Sequence, residues 1–355
     1  MRHTIFGESH GPAIGVVLED LPSGVELDLE QIAFEMARRA PGKNAMSTAR
    51  KESDTPQILS GLYEGKTTGT PLCAVIYNEN AHSGDYKSLQ DTPRPGHADY
   101  SGSVRYHGCN DGRGGGHFSG RLTAPLVFAG AVAKQILAKH QIYVGAHILK
   151  LGKGQDESFV LKTDDLSPEL FHQLAEMQVP ALRDADVMEQ SILEAKAQQD
   201  SIGGVIECAV LGMPAGVGSP DFGENVEGII ANHMFAVPAV KGVSFGVGDA
   251  CADMLGSAYN DAFQMKDGQV VTKTNWNGGV NGGITNGMPV VFSVAMRPTP
   301  SIAKTQQTVD LSSHTDTTIE IHGRHDPCVV QRAVPVMEAA TALAVCQLLE
   351  GVIQL

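Results

Sequence analysis

The chain has 355 residues, and at roughly 150 residues per domain it suits one or two domains. Its net charge of −14 disfavours a nucleic-acid binder, which usually carries a basic balance. Residues 1–7 lack an apolar stretch of signal-peptide length, and no apolar run approaches the ~18 residues of a membrane span.

The first strand-like run is Ala13–Leu18, followed by a helical pattern over Asp28–Arg39. Within it Leu29, Ile32, Ala33 and Met36 form an i, i+3, i+4, i+7 stripe, with Asp28 as N-cap. Further runs rich in Val and Ile predict strands at Pro71–Tyr77, Ile142–Leu151, Gly204–Leu211, Pro289–Met296 and Thr317–His322. Helices are expected over Leu122–Lys139, Ser167–Met177, Asp184–Gln199, Asn225–Met234 and Ala333–Leu349. The chain echoes itself. Val16–Val25 is mirrored by Val205–Val217, Thr68–Ile76 by Asn286–Val294, and Arg121–Ala131 by Arg332–Ala340. Each member of the last pair is an Arg opening a long Ala-rich helix. These matches, in order, predict one unit over 1–355 built from two similar halves, about 1–150 and 201–355. A polar helical connector near 153–200 joins them. The six cysteines have no CxxC or metal spacing, so reduced thiols and a cytoplasmic location are expected.

The chemistry-bearing residues sit in Gly- and Pro-shaped loops. Gly7–Gly11 (GESHG) places His10 between small neighbours, where the ring can face a ligand or be satisfied by the turn backbone. Arg94–Asp99 (RPGHAD) offers an anion donor, an acid and an orienting carboxylate on a stiff turn, or else a salt-bridged surface turn. Gly112–Arg121 (GRGGGHFSGR) runs into a helix start, which makes either an anion cradle with Arg113, His117, Ser119 and Arg121 as added donors or a flexible Gly turn that holds no ligand. It is not a Walker loop, since no GK[ST] follows. Asn277–Gly287 is a second Gly-rich loop, but it precedes a strand and so is not a dinucleotide fingerprint. Arg297–Ser301 leaves a strand as a stiff turn with a cation and hydroxyls. Gly323–Cys328 (GRHDPC) precedes the last helix, where Asp326 is also a candidate N-cap. Arg38, Arg39, Lys43, Arg50, Lys51 and Lys66 add a basic cluster, either a solvated face or part of an anion site.

Taken together and in this order, GESHG, RPGHAD and GRHDPC resemble the chorismate synthase family over nearly the whole chain. The resemblance implies an α/β (α+β) fold, a pseudo-duplicated β-α-β sandwich with helices between two antiparallel sheets, assembled as a homotetramer. It implies a lyase that removes phosphate from 5-enolpyruvylshikimate 3-phosphate by 1,4-anti elimination to give chorismate, with reduced FMN and no net redox change. NADPH or a separate flavin reductase is left open as the source of electrons. By the same resemblance His10 protonates the leaving phosphate, His97 assists protonation of the flavin, and Asp326 helps the flavin N5 remove the ring proton. Ser9, Arg39, Arg94 and Arg121 fall at substrate positions. His117, Phe118, Ser119, Pro238, Ala239, Gly282, Arg297, Pro298, Thr299, Pro300, Ser301 and Arg324 fall at cofactor positions, and no metal is implied. The chain departs from the family pattern at Ala45, His117, Gly120 and Pro238. Two other classes fit single motifs: a metal-dependent phosphohydrolase using His10, His97, Asp99, His325 and Asp326, and a non-catalytic anion-binding relative.

Overall fold

The alternation of Ile14, Val16 and Leu18 puts three fully buried side chains on one face of the strand Ala13–Glu19. This strand pairs antiparallel with Arg2–Gly7 on one side and Leu72–Tyr77 on the other, and Gln57–Ser60 completes a four-stranded sheet. A second antiparallel sheet runs in the order Val240–Phe245, Val290–Met296, Gly204–Leu211, Tyr143–Leu151, Gly154–Gln155. The computed structural model describes residues 1–42, 46, 54–78, 91–321 and 326–352. The basic positions Lys43, Arg50 and Lys51, the departure at Ala45, and the expected site residues Arg324 and His325 lie outside them.

Two long apolar helices fill the space between the sheets. Thr123–Ala138 packs on the first sheet, and Val330–Leu348 packs on the second and on the first helix. The two helices touch at Gly130, where an added Cβ would lie 2.2 Å from the Ala339 Cβ, so only Gly permits the contact. Leu29–Arg39 and Val226–Phe235 flank them. Phe128, Ile136, Leu137 and Phe292 are fully buried in this layer, each worth about 1.5–3 kcal/mol over exposure. The outer face of the second sheet is closed by the connector, whose Phe159, Phe171 and Leu174 cover Ala209 and Val291. The connector contains the helices Pro168–Glu176 and Ala185–Ala197.

The internal echo has a counterpart in hydrogen bonds. Thr67 Oγ1 donates to the Pro22 carbonyl at 2.6 Å and accepts from Val25 N at 2.9 Å. Thr285 Oγ1 donates to the Pro214 carbonyl at 2.6 Å and accepts from Val217 N at 3.0 Å. Each Thr main chain also bonds the Gly-Val pair beside it in the same way. The sequence differs from the structure at several ends. The last helix begins at Val330 and not at Ala333. Pro335 lies inside this helix, in its second turn. The strand expected at Thr317–His322 is the second arm of the hairpin Gln306–Asp310 with Thr315–Ile319. Asp28 caps its helix as expected, accepting from Glu30 N and Gln31 N. Asp326 is not a cap, because the helix N-cap is Val329.

Candidate active site

The end of the strand Arg2–Gly7 delivers Ser9 and His10 to a buried position, 3 % and 7 % exposed. The Ser9 hydroxyl donates to the Arg113 carbonyl at 3.1 Å, so its oxygen is left to accept from His10 Nδ1, also at 3.1 Å. That arrangement keeps a proton on Nδ1, so in the charged ring it is Nε2 that gives a proton up.

Three consecutive glycines press on three titratable side chains. A Cβ on Gly114 would lie 2.1 Å from His10 Cε1, one on Gly115 3.0 Å from His97 Cε1, and one on Gly116 2.9 Å from Glu8 Oε2. All three glycines have positive φ, between 52° and 91°, which L-residues rarely adopt. The loop therefore works by close approach, bringing the GESHG and RPGHAD segments together. Burial pushes the Glu8 carboxyl up, and its Oε2 has no hydrogen-bond partner. Arg94 forms a two-point ion pair with Asp99, Nε to Oδ2 and Nη2 to Oδ1, both at 2.7 Å. His97 Nδ1 lies 2.6 Å from Asp99 Oδ1. Burial pushes the Asp99 carboxyl up, but hydrogen bonds from Arg94 and His97 outweigh it and hold it well below the usual range. Asp99 thus orients the His97 ring. Arg94 also reaches Ser301 Oγ at 3.2 Å, which brings the Arg297–Ser301 turn to the same wall.

Next to this wall lies a buried guanidinium pair. Arg39 donates to Thr123 Oγ1 at 3.1 Å, to the Gly120 carbonyl at 3.1 Å and to Asp54 Oδ2 at 2.6 Å. Arg121 donates to Asn78 Oδ1 at 3.1 Å and to the other oxygen of Asp54. Asp54 therefore bridges the two cations. Burial lowers Arg39 to about 10 against the pull of Asp54, and the Arg332 and Arg121 charges add to the lowering. Asp326 joins the cluster through Arg332, which also donates to the Arg39 carbonyl at 3.0 Å. Neither Asp54 nor Arg332 stands out in the sequence as a site residue.

The remaining expected positions divide. Ala239 holds φ +76° and its carbonyl accepts from Arg297 N at 3.0 Å, so the Pro238–Ala239 turn and the Arg297–Ser301 turn are one unit. Ser201 Oγ donates to the Thr299 carbonyl at 2.6 Å, while the Thr299 hydroxyl is buried without a partner. His117 Nδ1 meets the Gly7 carbonyl at 3.0 Å, tying the Gly loop to the first strand. Phe118 packs against Gly102 and the Tyr106 ring. Ser119 accepts from Arg121 N at 3.3 Å, and a short 3-10 turn over Gly120–Leu122 precedes the long helix. Gly282 sits in a tight turn between Val280–Asn281 and Ile284–Thr285, where a Cβ would meet nothing within 4 Å. Arg113, expected as a further anion donor, is half exposed and paired with Asp111 at 2.7 Å.

Comparison with known proteins covers almost the entire chain. The family described as chorismate synthase matches residues 1–349. A chorismate synthase of Thermococcus kodakarensis is 43 % identical over 348 residues, 97 % of this chain and 94 % of that protein. One from Korarchaeum cryptofilum is 44 % identical over 345 residues, 97 % and 94 % of the two chains. A crystal structure of chorismate synthase superposes with a TM-score of 0.75 at 29 % identity, covering 99 % of this chain and 92 % of that one. With the family match and these relatives spanning nearly the whole chain, the chain belongs to the chorismate synthase family.

Proposed function

We propose that this chain eliminates phosphate from 5-enolpyruvylshikimate 3-phosphate to give chorismate. The carrying observation is the close packing of His10 and His97 on one glycine loop, in a chain of this family whose buried Arg39–Arg121 pair is bridged by one carboxylate. In the reaction a C–H bond of the ring and the C–O bond to phosphate break: the C–H electron pair shifts through the ring double bond to leave a conjugated diene, and the C–O pair departs with the phosphate. The proton and the phosphate depart with no net oxidation. Arg39, Arg121 and Arg94 supply the positive field in which phosphate binds and leaves. His10 is placed to protonate the departing phosphate, which converts a poor leaving group into a better one. Asp326, held beside the cluster by Arg332, provides a carboxylate that assists removal of the ring proton. Asp99 fixes His97 in one orientation, ready to hold or release a proton at the ring nitrogen.

The chain's residues also fit FMN. The Thr299 hydroxyl is buried without a partner. Burial lowers the neighbouring Arg297, which makes no ion pair among the described residues. An orphaned donor beside an uncompensated cation suits an anionic, acceptor-rich cofactor, which the Arg297–Ser301 turn, Ala239 and the His117–Ser119 loop would hold. When bound, reduced flavin supplies transient electron donation that weakens the C–O bond, which no side chain provides. A homotetrameric assembly belongs to the same proposal, with either NADPH or a separate flavin reductase as the source of electrons. Exposed Phe263, Met265 and Val270 on one hairpin are consistent with a covered surface. No helix among the described residues is long and apolar enough to cross a membrane.

An anaerobic assay with reduced FMN and 5-enolpyruvylshikimate 3-phosphate tests the reading. Equimolar chorismate and phosphate are expected. Phosphate release without chorismate would instead support a phosphohydrolase, which the family assignment does not favour.

A further inference from the structure

We propose that Arg332 is a positioning residue that holds Asp326 in its working orientation, braced against the end of the helix Leu29–Arg39. The inference rests on the functional reading above. Arg332 is the third residue of the helix Val330–Leu348, and its side chain is 17 % exposed. Its Nη1 donates to Asp326 Oδ2, and its Nε donates to the Arg39 carbonyl at 3.0 Å. That carbonyl belongs to the last turn of its helix, where carbonyls lack intrahelical partners and the helix dipole favours a cation. The guanidinium is thus fixed on one edge by main chain and presents another edge to the carboxylate. A planar fork can do both at once, whereas a lysine ammonium cannot match that geometry.

The internal repeat strengthens the assignment. Arg121 and Arg332 open the two equivalent Ala-rich helices, and each pairs with an aspartate, Asp54 and Asp326 respectively. The first pair shapes the cation cluster. The second places a carboxylate beside it. Arg39, Arg121 and Arg332 set against Asp54 and Asp326 leave one positive charge in excess, which suits an anionic substrate.

The test uses Arg332→Gln and Arg332→Lys, each alone and combined with Asp326→Asn. A charge-assisted hydrogen bond is worth roughly 1.5–3 kcal/mol, so Arg332→Gln should lower kcat about 10- to 100-fold with KM within a few-fold. Arg332→Lys should recover part of the loss. In the Asp326→Asn background, Arg332→Gln should cost almost nothing more, because the partner it acts through is gone. The second readout is the carboxyl 13C chemical shift at neutral pH in protein carrying 13C-labelled aspartate, with the Asp326 signal assigned by its absence in Asp326→Asn. Loss of the guanidinium donor should move that signal in Arg332→Gln. Additive losses in the cycle, or an unmoved Asp326 signal in a folded variant, would overturn the proposal. If Arg332→Gln does not fold, Arg332→Lys carries the same comparisons. Absence of chorismate from the unaltered chain would sink the functional reading, and the carboxyl signal would still decide the Arg332–Asp326 pairing.

Discussion

Ser9 sets the proton inventory of the histidine beside it. Because its hydroxyl is committed to the Arg113 carbonyl, the Ser9 oxygen accepts from His10 and fixes which ring nitrogen works. His10→Ala should lower kcat by ~10²–10⁴-fold with substrate binding little changed, as measured by steady-state kinetics and isothermal titration. A near-normal kcat in a folded variant would remove His10 from the catalytic set. Gly114→Ala tests the loop's close approach. Its methyl would meet His10 at 2.1 Å, and its φ of +60° is unfavourable for Ala by about 1–2 kcal/mol. A kcat loss approaching that of His10→Ala is expected, with only a small fall in Tm; unchanged kcat would mean that the loop does not locate the ring. Arg39→Ala should weaken substrate binding about 10- to 150-fold, as expected for a lost charge-assisted hydrogen bond. It should also lower Tm, because Asp54 is left beside one cation where it had two. The motifs around His10 and His97 are legible in sequence because Ser9, Arg94 and Asp99 lie within a few residues of them, whereas the packing of Gly114 and Gly115 on the two rings is not, since those glycines lie 104 and 18 positions away. Asp54 is not legible either, because its meaning depends on Arg39 and Arg121, 15 and 67 positions away.

The helices show the same contrast. Amphipathic spacing identifies Leu29–Arg39, and the apolar content of Val330–Leu348 identifies a buried helix, but neither reveals the charge cluster between them. Glu338, 2 % exposed, accepts from Arg38 at 2.6 and 2.9 Å and also pairs with Lys134 of the helix Thr123–Ala138. Glu35 pairs with the same two cations at 2.7 and 2.8 Å. Burial pushes the Glu338 carboxyl up, but the Arg38 and Lys134 charges outweigh it and bring it from 4.5 down to about 2. Glu338→Ala should cost about 3–5 kcal/mol, since it strands buried cations, and urea unfolding measures this. The depressed carboxyl also gives a sign. Its contribution is complete above pH 4.5 and is lost as pH falls toward about 2, so the gap between the unaltered chain and Glu338→Gln should narrow over that interval. A constant gap would show that Glu338 is not ionised in the folded chain. Strands missed in sequence include Arg2–Gly7, Gln57–Ser60 and Val240–Phe245, which lie at sheet edges, where one exposed side breaks up the apolar pattern.

At the scale of the whole molecule, the connector is bound to the second sheet by a buried ionic post. His147, fully buried on Tyr143–Leu151, contacts Asp156 Oδ2 through Nδ1 and Glu207 Oε2 through Nε2, both at 3.0 Å. Asp156 further accepts from the main-chain N–H groups of Leu182 and Arg183. Glu207 accepts from the Ser158 hydroxyl and from Phe159 N. One imidazole therefore ties two strands to the start of the connector and, through Asp156, to the bend between its two helices, and the Phe159 ring lies 4.1 Å from it. Burial alone would lower the His147 pKa, but hydrogen bonds and charge from Asp156 and Glu207 outweigh it, and the value is raised above 6.5. A raised histidine adds stability that is fully present below its unfolded value and is lost as pH climbs through its folded value. The chain should therefore lose stability on the alkaline side of pH 6.5, with the outer connector the first part to loosen. His147→Gln keeps a polar side chain but carries no titrating charge, and it should be less stable than the unaltered chain at pH 6. Their difference in unfolding free energy should shrink steadily toward pH 9, and urea unfolding across that range measures it directly. Parallel curves would mean that His147 is neutral in the folded state and that one of its carboxylates carries the proton between them.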